Sequence, residues 1–141
     1  MDTANLLKSC NVCCKYAIIG MKQALTFVEN PRLKRTIELC LEKHFVFAEA
    51  CSFILNGNGK SEKEPSALKL AVSRIKTDLK LTFSQSSRNV ASVMVKGCNE
   101  GIKEICKSLE RFSKAEGESV ELAKSIIKTF QEFMEEMIEY Y

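Results

Sequence analysis

The segment "GMKQALTFVENPRLK", residues 20–34, joins two long apolar repeats through a short polar turn. Asparagine is a favoured helix N-cap and proline is favoured at the first position of a helix, so Asn30 and Pro31 predict the start of a new helix. On both sides of the turn, apolar residues recur every three or four positions, as one face of an amphipathic helix requires. The segment therefore predicts a helical hairpin, with helices over about 3–29 and 31–55.

The apolar face of each predicted helix is continuous along its length. In the first helix it comprises Leu6, Leu7, Cys10, Cys13, Cys14, Ala17, Ile18, Met21, Ala24, Leu25 and Val28. In the second helix it comprises Leu33, Ile37, Cys40, Leu41, His44, Ala48, Cys51 and Leu55.

Beyond a glycine-containing loop, apolar repeats predict further helices over about 67–83, 88–112 and 118–139. One uninterrupted helix over 67–112 would be about 69 Å long, whereas each helix of the hairpin reaches only about 40 Å. A break is therefore expected within "SQSSRN", residues 84–89, because serine and asparagine compete with helical hydrogen bonds and then cap the next helix.

The short helix over 67–83 occupies the place where a chain returns along the length of a bundle. We predict an all-α fold in one domain over 1–141: a ferritin-like antiparallel four-helix bundle with a shorter crossover helix between the second and third long helices. An up-down bundle with a kinked third helix is the alternative.

Composition excludes several classes of function. The 141 residues carry a net charge of +3, which is too mild for a nucleic-acid binder. No apolar stretch approaches the roughly 18 residues that cross a bilayer, and the first ten residues lack the pattern of a secretory signal. We expect a cytoplasmic protein with no membrane or nucleic-acid partner, whose seven cysteines are free thiols.

The hairpin segment also resembles an uncharacterised bacterial family of ferritin-like four-helix bundles. The resemblance rests chiefly on Asn30-Pro31 followed by Leu33 and Lys34, and continues through "FAEA" at 47–50 and "KGCNEGIKE" at 96–104. It implies the ferritin-like fold, and it implies no activity, because that family has no settled one.

A ferritin-type di-iron centre is not expected despite that resemblance. Such a centre needs a glutamate from each of two helices and a Glu-x-x-His pair from each of the other two. The chain has one histidine, His44, and the residue three positions before it is Leu41. The first helix has no acidic residue between Thr3 and Val28, so it cannot supply a carboxylate.

His44 is the first of the weak candidate ligands. Counting outward from the turn places it opposite Tyr16, where related bundles tend to carry an acidic residue. A tyrosine–histidine hydrogen bond at the edge of the core is the favoured interpretation, because buried polar groups usually find partners. A relic or alternative ligand site is the other.

The cysteines are the remaining candidates. Cys10 and Cys13 form a C-x-x-C inside a helix, and the hairpin count places Cys51 near the level of Cys10. Thiolates from two helices suit zinc or copper. The same cysteines fall on or beside the apolar face, so packing accounts for them without a metal. Core filling is therefore the favoured interpretation, with metal binding and redox sensing as alternatives.

Three further patterns concern the glycines and charged residues of the predicted helices. Gly97 and Gly101 form G-x-x-x-G, which indicates close helix approach or room for a bulky side chain. Lysines at every seventh position line one side of the first helix, and a solvated face is the favoured interpretation of them. Glutamates crowd the last helix, where a cation, a basic surface on another subunit, or water and salt would relieve their repulsion. The lysines are Lys8, Lys15 and Lys22, and the glutamates are Glu132, Glu135, Glu136 and Glu139.

Two short apolar runs predict assembly. "AII" at 17–19 and "FVF" at 45–47 lie at a similar height along the hairpin, and each covers about 200° of its helix. A single core covers only part of so wide an apolar face, so either the crossover helix or a second subunit covers the remainder. We therefore expect a non-enzymatic, homo-oligomeric bundle without a cofactor, dimeric through its first two helices. The alternative is a metal-binding or thiol-redox protein that uses Cys10, Cys13, Cys51 and His44.

Overall fold

The computed structural model describes residues 1–57 and 86–141, and the regular structure in these ranges is entirely helical. Four long helices are present: α1 (Asp2–Leu25), α2 (Pro31–Gly57), α3 (Ser87–Arg111) and α4 (Gly117–Met137). A short 3₁₀ helix (Ile138–Tyr140) follows α4. The predicted all-α class is confirmed for these residues, while the predicted crossover helix at 67–83 lies outside them.

The turn between α1 and α2 has the predicted cap. Asn30 Oδ1 accepts hydrogen bonds from the backbone N–H groups of Arg32 (2.9 Å) and Leu33 (3.1 Å), which the first turn of α2 would otherwise leave unpaired. α1 ends at Leu25, earlier than expected, because the chain tightens there: the Thr26 N–H donates to Gln23 O at 3.1 Å, three residues back.

The start of α3 is also capped by a side chain. Ser86 Oγ accepts a hydrogen bond from the Asn89 N–H at 3.2 Å. The serine- and asparagine-rich segment therefore supplies the N-cap that its composition predicts, since a serine hydroxyl satisfies a donor of the first helical turn.

α1 packs against all three other long helices, most extensively against α2. α2 and α3 each pack against α4 as well. Near the start of α1, Asp2 Oδ2 accepts from the Lys114 N–H (3.0 Å) and Thr3 Oγ1 from the Glu116 N–H (2.8 Å). Past the far end of α4, Glu139 Oε1 lies 3.3 Å from Arg32 Nε, and the 3₁₀ helix contacts α3.

The core between the helices is built from small and medium apolar side chains. Its fully buried members include Leu6 and Leu7 of α1, Ile105 of α3 and Phe133 of α4. Cysteines of α1, α2 and α3 belong to the same cluster. These cysteines therefore fill the core as small hydrophobic residues, as predicted.

The two glycines of the G-x-x-x-G pattern have different surroundings. A Cβ added at Gly101 would lie 3.0 Å from Cε2 and Cζ of Phe130, a ring of α4. Around Gly97, apart from its chain neighbours and the backbone of its own helix, no atom of the described chain lies within 4 Å of such a Cβ. Gly101 thus makes room for a bulky side chain, as the pattern indicates, whereas Gly97 does not.

We expect Gly97→Ala to stabilise the protein by roughly 0.5–1 kcal/mol, because alanine is the better helix former. Gly101→Ala should leave stability at or below that of the parent, since the added methyl group meets the buried Phe130 ring. Urea unfolding followed by circular dichroism measures both. In a Phe130→Leu background the two substitutions should give similar gains, and equal gains with Phe130 intact would contradict this assignment.

Candidate functional site

His44 is fully buried on the inner face of α2. Its imidazole lies against the Phe130 ring of α4, with centroids 4.7 Å apart, and edge-on to Phe47 at 5.9 Å. Within the described chain neither Nδ1 nor Nε2 has a hydrogen-bond partner. Burial, with a smaller contribution from Lys43, lowers the pKa of His44 to about 4, so the ring is neutral at physiological pH.

The predicted Tyr16–His44 hydrogen bond is wrong. Tyr16 is only partly buried, and the groups that raise its pKa besides burial are Cys13 and Glu104. Glu104 belongs to α3, so Tyr16 lies near α3, and neither ring nitrogen of His44 has a hydrogen-bond partner among the described residues. The hairpin count gives the height of a residue along α2, but it does not give the direction in which the side chain leaves α1.

Four thiols gather where α1 packs against α2. Cys51 acts electrostatically on Cys10, Cys13 and Cys14, which places it beside the C-x-x-C segment, as the hairpin count predicts. Burial is the main cause that raises the pKa of every one of these α1 thiols, to about 12 for Cys13. The thiols are therefore protonated at neutral pH and are poor nucleophiles.

The candidate metal ligands do not assemble into a site. Among residues 1–57 and 86–141, no three His, Cys, Asp or Glu side chains are grouped so that they can hold a metal ion. Cys10, Cys13 and Cys51 lie near one another, but His44 is enclosed by Phe47 and Phe130 instead of joining them. Metal binding would also require deprotonation of thiols whose burial favours the protonated form.

Two polar features of the core were missed at the level of the sequence. Asn11 of α1 is buried, and its Oδ1 has no hydrogen-bond partner in the described chain. Ser9 of α1 and Ser108 of α3 join their hydroxyl groups in a hydrogen bond. Asn11 lies four residues after Leu7 and three before Cys14, and this helical spacing from two buried apolar residues could have predicted its burial.

The outward surface of α2 is unusually apolar. Leu39, Val46 and Phe53 are 43%, 63% and 80% exposed, and Phe45 beside them is 41% exposed. By contrast, Ile18 of the "AII" run is buried in α1. Of the two apolar runs expected to lack cover, only the one on α2 presents large side chains to solvent, so α2 carries the candidate interaction site.

This surface has charged borders on both sides. Lys22 Nζ of α1 lies 5.1 Å from the centroid of the Phe45 ring, a cation–π contact. On the opposite side a shallow groove between α2 and α4 is lined by Leu39, Lys43, Glu132 and Glu136, among others. No helix of the described ranges is both long enough and apolar enough to cross a bilayer.

Comparison with known proteins identifies no relative: no family model, no curated protein and no solved structure matches this chain. The resemblance of the hairpin segment to ferritin-like bundles therefore gains no support from these comparisons.

His44 should make stability depend on pH in mildly acidic solution. Its folded-state pKa of about 4 lies below its ordinary value of 6.5, so the unfolded chain binds more protons between these two values. The contribution of neutral His44 to the free energy of unfolding is fully present above pH 6.5. As pH falls from 6.5 to 4, it is lost by about 1.4 kcal/mol per pH unit, and by about 3 kcal/mol in all.

Urea unfolding of the parent and of His44→Met at several pH values measures this contribution as a difference, which cancels the titration of the carboxylates. At pH 7 we expect the variant to be as stable as the parent or more so, because it removes two buried nitrogens that have no hydrogen-bond partner in the described part of the chain. An unchanged difference from pH 7 to pH 4 would contradict the burial of a neutral His44.

The thiols should differ sharply in reactivity. Cys106 is exposed and the other six cysteines are buried, so we expect one thiol per chain to react rapidly with Ellman's reagent in native buffer. Cys106→Ser should abolish that rapid phase, and denaturant should expose the remaining thiols. Rapid reaction of Cys10 or Cys13 in the folded protein would instead indicate an accessible redox site.

Proposed function

We propose that this protein is a non-enzymatic bundle that assembles with copies of itself through its first two helices. The observation that carries the proposal is the exposed apolar surface of α2, formed by Leu39, Phe45, Val46 and Phe53. Full burial of one such side chain contributes about 1.5–3 kcal/mol, so covering several of them is enough to drive association. Large apolar side chains exposed along one face of a helix mark interaction sites in soluble proteins.

The properties of the nucleophilic groups support a non-enzymatic role. The only histidine is sealed between aromatic rings with a lowered pKa, so it cannot exchange protons with a substrate at neutral pH. The clustered thiols are buried and protonated. A reducing compartment such as the cytoplasm suits seven free cysteines, which is our proposal for the location of the protein.

Ferritin-like connectivity is part of the proposal and is supported by contacts at the ends of the helices. Arg32, at the start of α2, pairs with Glu139 beyond the end of α4, and the 3₁₀ helix there contacts α3. Asp2 and Thr3 bond the chain between α3 and α4. These contacts favour an antiparallel hairpin on each side of the bundle, with α2 and α3 starting at the same end.

The alternative function, metal binding or thiol redox chemistry, draws on the closeness of Cys10, Cys13 and Cys51. It would require thiolates where burial stabilises thiols, and His44 has aromatic neighbours in place of the cysteines. Assembly is therefore the function that these contacts favour.

The mass in solution tests the proposal. We expect twice the mass of one 15.9 kDa chain by light scattering at micromolar concentration, and a monomer for Val46→Glu, because a buried carboxylate in the interface is costly. Ile138→Glu is the matched control: Ile138 is 66% exposed, close to the 63% of Val46, but lies beyond α4. A monomeric parent protein would overturn the proposed assembly.

A further inference from the structure

The exposed apolar residues of α2 form one straight line. Leu39, Val46 and Phe53 are spaced by seven residues, so they lie above one another along the helix, within the narrow drift that a seven-residue repeat allows. We call these three residues the α2 stripe. A stripe of this spacing is the seam by which two helices pack side by side.

On the side of α1, two rows of charged side chains border the α2 stripe. Lys22 lies over Phe45, and Lys15 and Lys8 follow it at seven-residue spacing along α1. Glu42 and Glu49, three residues before and four residues after Phe45, are exposed on the same side of α2. Going outward from the stripe, this border presents first acidic and then basic side chains.

The border on the side of α4 has the opposite order. Lys43 is one turn from Leu39, and both line the groove against α4. Across that groove stand Glu132 and Glu136. Going outward from the stripe, this border presents first a basic and then acidic side chains.

From this arrangement we propose that a second copy of the chain binds the α2 stripe with its own, the two α2 helices lying parallel about a two-fold axis that runs along them. This inference rests on the proposed homo-oligomer and specifies its interface. Each α4 border then meets the α1 border of the partner. Lys43 faces Glu42 of the partner subunit, and Glu136 faces Lys22 of the partner subunit.

The heights of these groups agree with that pairing. A two-fold axis that runs along the helices brings together residues that lie at the same height in the two subunits. Lys22 contacts Phe45, and Glu136 lines the same groove as Lys43, so both stand beside residues 43–45 of α2. Both of these facing pairs are then of opposite charge.

The other two-fold arrangement places equal charges together. An axis perpendicular to α2 makes the helices antiparallel and brings each border against its own copy. Glu42 would then approach Glu49 of the partner subunit, and the lysine row of α1 would approach the partner's lysine row. Like charges at an interface oppose association, so the charge pattern selects the parallel pairing.

Cysteine cross-linking distinguishes the two arrangements. In a Cys106→Ser background, which removes the exposed native thiol, Phe53→Cys should form a disulfide-linked dimer under mild oxidation, because residue 53 of each subunit meets residue 53 of the other. Cross-linking only between Leu39→Cys and Phe53→Cys chains would show antiparallel helices and would overturn this inference. A dimeric mass with no cross-link at either position would place the interface elsewhere and would also overturn it.

Charge reversal provides an independent measurement. Lys22→Glu and Glu136→Lys should each weaken the dimer, by about tenfold in Kd, and the double variant should restore it because the swapped charges again face each other. Lys103→Glu, an exposed site on α3, is the matched control and should leave Kd unchanged. Failure of the double variant to recover would contradict the pairing, whereas a monomeric parent protein would overturn the assembly itself.

Discussion

The burial of α1 is the constraint on which the rest of the described structure depends. α1 packs against α2, α3 and α4, and 11 of its 24 residues are buried. So much burial leaves only a narrow arc of α1 for charged side chains, and Lys8, Lys15 and Lys22 occupy it. Cysteine suits such a position because it is small and behaves as a hydrophobe, so it lets three helices approach one side.

A second contact ties the other helices together through the interior. Gly101 of α3 leaves space for the ring of Phe130 of α4, and that ring lies against His44 of α2. The enclosure of His44 by aromatic carbon keeps the imidazole neutral and leaves both of its nitrogens without a hydrogen-bond partner among residues 1–57 and 86–141. Two unpaired buried nitrogens oppose folding, and the packing of Phe130 against Gly101 and His44 offsets that cost by dispersion and apolar burial.

Sequence periodicity predicted the four long helices of the described ranges and the meeting of Cys10 with Cys51, because these depend on spacing along the chain, and the residue preferences of a helix start predicted the cap at Asn30. It failed for Tyr16, whose direction depends on the rotation of α1 about its axis, where one residue corresponds to about 100°. It also predicted two uncovered apolar runs where only that of α2 is exposed. Periodicity gives the width of an apolar face, but the number of helices that cover the face is a property of the whole bundle.

The charge pattern around α2 exists because α4 is its second neighbour. In an up-down bundle, α2 would lie between α1 and α3, and the glutamates of α4 would stand away from the α2 stripe. Because α2 packs against both α1 and α4, the lysine row of α1 lies on one side of the α2 stripe and the glutamates of α4 lie on the other. Residues distant in the sequence, such as Lys22 and Glu136, thereby become the two halves of the surface that we propose to be self-complementary. Neither helix carries that complementarity alone, so it depends on the order of the helices around the bundle.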